Sequence, residues 1–107
     1  MTSSLSTADR SFYSGLIRLH ILHCAADHAI FGQAMIDELG RLGYRLSAGT
    51  LYPILHGMEQ QGYLRSRQTV SEGRTRRVYR ATPAGRRALT TARQRVHQLF
   101  GQMFRTA

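Results

Sequence analysis

The fold of this chain is decided by residues 46–55, LSAGTLYPIL. Ser47 is of the residue types that cap helix N-termini, because the hydroxyl accepts a hydrogen bond from a backbone amide that has no partner within the helix. The apolar residues that follow recur at the helical spacings of three and four: Leu51, Ile54, Leu55 and Met58. Gly62 is typical of a helix end. The sequence therefore predicts a helix between Ser47 and Gly62.

Pro53 is the residue of this stretch that disfavours a helix, because proline in a helix interior removes a backbone hydrogen bond. If Thr50 is the effective N-cap, Pro53 falls at the third helical position, where an amide has no intrahelical partner in any case. On this interpretation the proline marks the start of the helix.

Two more helices are predicted upstream. The first extends from about Phe12 to Ala26, and its apolar residues recur at the helical period: Phe12, Leu16, Leu19, Leu22 and Ala26. The second extends from about Phe31 to Leu42, with an inward side formed by Ala34, Met35, Leu39 and Leu42. Gly43 stands where a left-handed helix cap is expected. An extended segment, residues 44–46, then leads into the third helix.

Downstream, residues 63–69 and 77–82 are short alternating segments rich in strand-forming residues. They are separated by residues 70–76, a polar loop that contains a glycine, so the pattern predicts a β-hairpin. Leu64 and Tyr79 lie on the apolar side of these segments, and we expect both in the core.

The last helix is the most periodic segment of the chain. Thr82 followed by Pro83 is a helix entry signal, since threonine caps and proline fits the first helical position. From Pro83 to Phe104 the helix would be roughly 33 Å long. A small domain cannot cover such a helix, so we expect a homodimer formed through its apolar stripe. The predicted dimerisation residues are Leu89, Ala92, Val96, Leu99, Phe100 and Met103.

Charge is concentrated in the second half of the chain. The 107 residues carry a formal net charge of +9, and every basic residue is arginine. Residues 1–44 hold three arginines and four acidic residues, whereas residues 45–107 hold twelve arginines and two acidic residues. Arginine presents a planar fork of donors that suits phosphate oxygens and guanine edges, so a nucleic-acid surface is expected in the second half.

Three helices, a hairpin and a long helix, in this order, are typical of a winged helix-turn-helix domain with an added dimerisation helix. The sequence also resembles the PadR-type repressors, in residues 46–55 quoted above, in MEQQGYL at 58–64 and in RVYRATPAGR at 77–86. The resemblance covers about residues 14–104. It implies a dimeric repressor whose third helix and wing bind a palindromic operator, and which a small ligand or another signal releases.

The predicted fold class is therefore mainly α with a small β-hairpin. Residues 1–9 are predicted to be a flexible arm, residues 10–82 a winged helix-turn-helix DNA-binding domain, and residues 83–107 the C-terminal dimerisation helix. The chain has no tryptophan, so a tryptophan-based sandwich for a flat ligand is not available.

Candidate contacts to double-stranded DNA lie at the start of the third helix and in the hairpin. They are Ser47, Thr50, Tyr52, Arg65, Arg67, Gln68, Arg74, Arg76 and Arg77. The helix would read base edges and the hairpin would contact phosphates. An RNA-binding or ribosome-associated module is the alternative that basic charge alone permits, but the aromatic residues follow core-facing stripes. A protein-interaction adaptor that uses the last helix would leave the hairpin arginines unexplained.

One group of residues on the first helix has metal-ligand chemistry: His20, His23, Cys24 and His28. Residues three and four apart share a helix face, so these side chains are candidate ligands for Zn²⁺ or a similar soft metal that acts as an effector. The alternative is a packed helix face with half-buried histidines and an ordinary small cysteine.

Other functional classes find no support in the sequence. A single helix offers no oxyanion stabiliser for a Cys–His pair, and phosphate loops, Rossmann fingerprints and carboxylate pairs are absent, so we do not expect an enzyme. No segment approaches the ~18 apolar residues of a membrane span, and the N-terminus lacks a signal-peptide pattern. We expect a cytoplasmic protein.

Overall fold

The computed structural model describes residues 7–105. In chain order its elements are helix α1 (Thr7–Asp27), strand β1 (Ile30–Phe31), helices α2 (Gly32–Arg41) and α3 (Ala48–Gln60), strands β2 (Leu64–Ser71) and β3 (Arg74–Ala81), and helix α4 (Pro83–Met103). The strands form one antiparallel sheet in the order β1-β3-β2. The predicted class, mainly α with a small β element, is confirmed.

Helix α1 differs from its prediction in its start and in its buried side. It begins at Thr7, so it includes the end of the predicted arm, while residues 1–6 lie outside the described part of the chain. Phe12 is 81% exposed and Leu16 is also exposed. The buried side is formed by Ile17, Ile21, Leu22 and Ala25. Because α1 has apolar residues on more than one side, spacing alone did not identify the side that the rest of the chain covers.

Helix α2 is shorter than predicted and buries a narrower stripe. Met35 and Leu39 are buried as expected, but Ala34 and Leu42 are exposed, and the expectation that they face inward is wrong. The helix ends at Arg41, and Gly43 adopts a φ of 97°, which confirms the left-handed turn. Leu42 therefore belongs to the turn, where its side chain no longer follows the helical stripe.

Helix α3 begins at Ala48, with Ser47 at the N-cap position but without a side-chain cap bond. The interpretation of Thr50 as the N-cap is wrong, because the Thr50 amide already donates to the Ser47 carbonyl inside the helix. Pro53 consequently lies within α3, where its missing amide deletes the bond that the Gly49 carbonyl would accept. The predicted apolar side is confirmed, with Leu51, Leu55 and Met58 buried and Ile54 packed against the core.

The hairpin has longer strands and a tighter turn than predicted. Strands β2 and β3 pair from Leu64 opposite Ala81 to Ser71 opposite Arg74, so most of the predicted loop at 70–76 is strand. The turn consists of Glu72 and Gly73, whose φ values are 52° and 76°. Positive φ at both central positions defines the type I′ turn that suits a two-residue hairpin. The length of the loop was overestimated, because arginine and threonine occur in paired hairpin strands as readily as in a polar loop.

Strand β1 was missed by the sequence analysis. It places Ile30 opposite Tyr79 and Phe31 opposite Val78 on the free edge of β3. Two residues are too few for an alternating pattern, and the predicted second helix already includes Phe31. Its effect is to hold the start of α2 against the hairpin.

The core lies between α1, α2, α3 and the base of the hairpin. It includes Leu64 and Tyr79, as predicted, and the first part of α4 through Leu89. Burial of the Tyr79 side chain raises the pKa of its phenol above the ordinary value. Within residues 7–105, no helix combines the length and the apolar character required to cross a bilayer.

Helix α4 is joined to the end of α3 by a close contact. Thr82 caps α4 by accepting a 2.9 Å hydrogen bond from the Gly85 amide, and its hydroxyl donates to the Gly62 carbonyl. A Cβ at Gly85 would overlap the Tyr63 carbonyl oxygen, so only glycine permits this approach. The Thr-Pro-x-Gly segment therefore fixes the direction in which α4 leaves the domain.

The two halves of α4 have different surroundings. Leu89 is 4% exposed and packs in the core of its own chain, so it has almost no surface left for a partner and is corrected from a dimerisation residue to a core residue. Ala92 and Val96 are half-buried. The apolar residues beyond them are exposed: Leu99, Phe100, Met103 and Phe104.

Candidate nucleic-acid interface

The N-terminus of α3 presents hydroxyl groups and no charged side chain. Ser47 is exposed, and its Oγ donates to Thr50 Oγ1 at 3.3 Å instead of capping the helix. Tyr52 follows one turn later and is 42% exposed. Hydroxyls both donate and accept hydrogen bonds, so this end of α3 can bond to base edges or to phosphates.

Tyr52 is held in place by the start of α2. A Cβ at Gly32 would overlap the Tyr52 ring and hydroxyl, so the ring lies directly against the glycine backbone. The two residues line a cleft between α2, α3 and the hairpin, together with Phe31, Gln33 and residues 74–77. The sequence could not predict this contact, because a glycine at the first position of a helix does not indicate which side chain packs against it.

The strands β2 and β3 and the Glu72–Gly73 turn form the wing, whose two faces differ. Because side chains alternate along a strand, Leu64 and Tyr79 place one face against the core, and we name it the inner face. Gln68 and Arg77 are paired opposite each other on the inner face. The arginines of the outer face are Arg65, Arg67, Arg74, Arg76 and Arg80.

The outer face is strongly basic. Arg65 lies directly opposite Arg80, an arrangement of like charges that is unfavourable without a counter-charge. None of the ion pairs found within residues 7–105 involves Arg65, Arg67 or Arg80. Arg80 was absent from the predicted contacts, although its place at an alternate position of the same strand as Arg74 and Arg76 is visible in the sequence.

Arg76 lies near the cleft that contains Tyr52. Its guanidinium carbon is 5.5 Å from the centre of the Phe31 ring, which is a cation–π distance. This contact orients the side chain and leaves the planar group exposed. Arg74 is exposed beside the turn at the wing tip, where it pairs with Ser71.

Arg77 has a different environment from the other wing arginines. Its NH1 donates to Ser66 Oγ at 2.9 Å, and the same hydroxyl contacts both carboxylate oxygens of Glu59 at 2.9 and 2.8 Å. The Ser66 amide also donates to Glu59. These hydrogen bonds lower the pKa of the Glu59 carboxyl, and the charges of Arg77 and His56 act in the same direction.

The predicted metal ligands do not converge within one chain. His20 Nε2 lies 3.5 Å from Cys24 Sγ and 3.3 Å from Glu38, whereas His23 faces Arg93 at 2.8 Å and His28 faces Asp27. Among residues 7–105, no three histidine, cysteine, aspartate or glutamate side chains are close enough to hold a metal ion. The single-chain site is therefore wrong, because the shared helix face is divided between two neighbouring helices.

The Cys24 thiol is partly buried near two carboxylates. Burial raises its pKa, and the nearby carboxylates of Glu38 and Asp27 raise it further. Glu38 itself is held ionised by Arg41, whose hydrogen bond lowers the pKa of that carboxyl.

The three helices, the basic wing and the extended last helix define a winged helix-turn-helix protein of the transcription-regulator class. Residues 21–91 match the PadR-like family of transcriptional regulators. The chain is 56% identical over 90 residues to the transcriptional regulator Rv3488 of Mycobacterium tuberculosis, with 84% of each chain covered. The chain belongs to the PadR-like family, whose members are non-enzymatic regulators that bind DNA.

Solved structures agree with this assignment. The structure is similar to that of a PadR family transcriptional regulator from Eggerthella lenta, with a TM-score of 0.74, 27% identity and coverage of 91% of this chain and 88% of that one. A PadR-like transcriptional regulator from Bacillus cereus gives a TM-score of 0.77 at 20% identity, covering 91% of this chain and 99% of that one. At that identity the likeness concerns the fold alone.

Proposed function

We propose that the chain is a homodimeric, sequence-specific repressor of the cytoplasm, which binds an operator in double-stranded DNA and is released by a small ligand or a metal ion. The observation that carries the proposal is the juxtaposition of two surfaces. The uncharged hydroxyl end of α3, with Thr50 and Tyr52, lies across a cleft from the arginines of the wing.

The two surfaces suit different parts of a DNA duplex. A helix fits the major groove with its N-terminal residues toward the base edges, and the wing then reaches the neighbouring backbone. Arg74 and Arg76 are suited to phosphate contacts because both are exposed near the wing tip. Arg65, Arg67 and Gln68 are proposed as further contacts because their side chains are also exposed along the wing, and Ser47 is proposed as a contact beside Thr50 and Tyr52.

Dimerisation is supported by the apolar surface that one chain leaves uncovered. On α4, Leu99 is 60% exposed and Met103 is 67% exposed, with Phe100 and Phe104 beside them. On α1, which packs against α4, Phe12 is also exposed. A second copy that covers these residues removes apolar surface from water, and a two-fold dimer presents two copies of α3 to a palindromic site.

The releasing signal is proposed to act where the two chains meet. A ligand that changes the angle between the two copies of α3 would change the fit to two half-sites, and the coupling must be reciprocal. For a metal ion the ligands would come from both chains, since residues 7–105 of one chain do not bring three such side chains together. Zn²⁺ titration of wild type and Cys24→Ser tests this version. Metal uptake without a change in DNA affinity would exclude a metal effector.

A gel shift tests the proposed function as a class. The probe is duplex DNA from upstream of the protein's own gene, competed separately with random duplex DNA and with RNA of equal length. We expect a retarded complex with the labelled duplex, and we expect both random DNA and RNA to displace the labelled duplex only weakly. Preferential competition by RNA would favour an RNA-binding module, and the absence of retardation at low salt would leave the basic surface without a nucleic-acid role.

A further inference from the structure

Glu59, Ser66 and Arg77 form a polar network that joins three elements, and we call it the brace. Glu59 lies in the last turn of α3, Ser66 lies in β2 and Arg77 lies in β3. Ser66 is the centre of the brace, because its amide and its hydroxyl both donate to the Glu59 carboxylate while its oxygen accepts from Arg77. The brace therefore connects the helix to both strands of the wing.

The position of the brace determines what it can control. Glu59 is on the same helix as Thr50 and Tyr52, at the opposite end, and Arg77 is on the same strand as Arg74 and Arg76. A rotation of the wing relative to α3 would have to break the hydrogen bonds to Glu59. The brace thus fixes the relative orientation of the two surfaces to which the proposed function assigns DNA contacts.

The negative charge of Glu59 does not favour binding to DNA in general. It is one of two acidic residues in residues 45–107, the other being Glu72, and any carboxylate near a DNA surface weakens the attraction to phosphates. Its carboxylate also engages the hydroxyl to which Arg77 donates, so this arginine is held on the inner face. A charge that opposes phosphate binding is consistent with a geometric role.

We propose that Glu59 and Ser66 are positioning residues for sequence recognition: they align α3 and the wing so that both engage one operator half-site at the same time. This inference rests on the proposed DNA-binding function. Its consequence is that loss of the brace reduces discrimination between operator and random DNA, even though overall positive charge increases.

Glu59→Gln and Glu72→Gln are a matched pair that separates geometry from charge. Each removes one negative charge from the same basic half, but Glu72 lies in the exposed turn at the wing tip. We expect Glu72→Gln to strengthen binding to operator and random DNA by similar factors. Glu59→Gln should reduce the ratio of operator affinity to random-DNA affinity about tenfold, which is the effect expected for the loss of hydrogen bonds to a charged group. Equal ratios for the two variants would overturn the proposal.

Ser66 provides a second pair, in which the conservative change should restore function. Ser66→Ala deletes the hydroxyl that links Glu59 to Arg77, whereas Ser66→Thr keeps it and suits a strand. We expect the operator ratio to fall for Ser66→Ala and to return for Ser66→Thr. If both variants keep the wild-type ratio, the brace does not position the wing.

Two measurements keep the test independent of folding and of the proposed function. Thermal unfolding and the dimer mass of each variant are measured first, and ratios are compared at a temperature at which every variant is folded. If wild type itself does not distinguish operator from random DNA, the proposed function fails. If wild type distinguishes them and Glu59→Gln does so equally well, the brace proposal alone fails.

Discussion

Helix α3 and the wing lie in contact with each other, yet they carry different chemistry. The exposed end of α3 presents Ser47, Thr50 and Tyr52, and the one acidic residue of this helix, Glu59, is at its other end. The wing carries six arginines and one acidic residue over residues 64–81. Recognition of a base edge depends on donors and acceptors in fixed positions, whereas attraction to phosphates depends on charge.

The difference between the two regions indicates a division of labour. The hydroxyl end of α3 is fixed by packing, because the Tyr52 ring lies against Gly32, and a fixed geometry is required for discrimination between bases. The wing arginines are exposed and long, and such side chains adapt to a backbone of any sequence. We therefore expect changes in α3 to alter specificity and changes in the wing to alter affinity.

The largest effect is expected from Leu99→Asp, which leaves both regions intact but separates the two chains. An aspartate in an apolar seam would be an unpaired buried charge, so the dimer should dissociate. Operator affinity should then fall roughly a hundredfold or more, because two linked half-sites no longer act together. Sedimentation and operator titration measure both effects.

Gln98→Asp is the matched control for Leu99→Asp, since it adds the same charge at an exposed polar position of the same turn. It should remain dimeric. If Leu99→Asp also remains dimeric, the interface lies elsewhere and the apolar end of α4 needs another partner.

Gly32→Ala should move Tyr52 and so test the reading role of α3 without changing any polar group. The added methyl group overlaps the Tyr52 ring, which must shift. We expect an operator affinity about tenfold lower, with binding to random DNA little changed. Gly57→Ala is the control, because an added Cβ there would meet nothing within 4 Å and the residue lies in the second half of α3, away from its hydroxyl end. Equal operator affinities for the two variants would remove Tyr52 from base recognition.

Arg76→Ala should have a smaller and less selective effect. The loss of one phosphate contact weakens binding to operator and random DNA by similar factors and reduces the slope of log affinity against log salt by about one. Arg95→Ala, at an exposed arginine of α4 outside the wing, should leave that slope unchanged. A change in sequence preference for Arg76→Ala would assign this arginine to base reading.

The smallest effect is expected on stability in acid, where the Glu59 carboxylate that joins α3 to the wing becomes protonated. Because hydrogen bonds from Ser66 lower the pKa of Glu59, and Arg77 and His56 add to the shift, the ionised carboxylate stabilises the fold. This contribution is present above the ordinary glutamate pKa of about 4.3 and is lost as the pH falls through the lower folded-state value. Glu59→Gln should therefore be less stable than wild type near pH 7, with a difference that shrinks in acid.

Urea unfolding at several pH values measures this difference, with Glu72→Gln as the control for charge. The carboxyl of Glu38 also has a lowered pKa, but it is present in every variant and cancels in the comparison. A difference between Glu59→Gln and wild type that is independent of pH would mean that the Glu59 charge does not stabilise the contact with the wing.

The sequence predicted most of the fold, because the order of elements and the helical stripes of α3 and α4 depend on local spacing. Gly43 and the Thr82-Pro83 entry were identified for the same reason, since each acts on its own turn of backbone. The start of α1 was missed and only part of its predicted apolar stripe is buried, because burial depends on which neighbours cover Phe12 and Ile17. Strand β1 is too short to have a pattern of its own.

The candidate site was predicted less completely, since its partners are distant in the sequence. The arginine-rich hairpin was evident from composition, but its two faces follow from the pairing register, which a predicted loop at 70–76 concealed. The role of Ser66 depends on Glu59 and Arg77, and no spacing rule connects these three residues. The four predicted metal ligands do not meet within one chain, because a shared helix face says nothing about competing contacts such as that of His23 with Arg93.

The assignment of base recognition to α3 and of phosphate binding to the wing can be tested by one crossed titration. Operator and random duplexes are titrated with wild type, Thr50→Ala and Arg74→Ala over a series of salt concentrations. We expect Thr50→Ala to lower the ratio of operator affinity to random-DNA affinity without changing the salt slope, and Arg74→Ala to keep the ratio and lower the slope by about one. The opposite pattern, or equal changes in the affinity ratio and in the salt slope for both variants, would overturn this assignment.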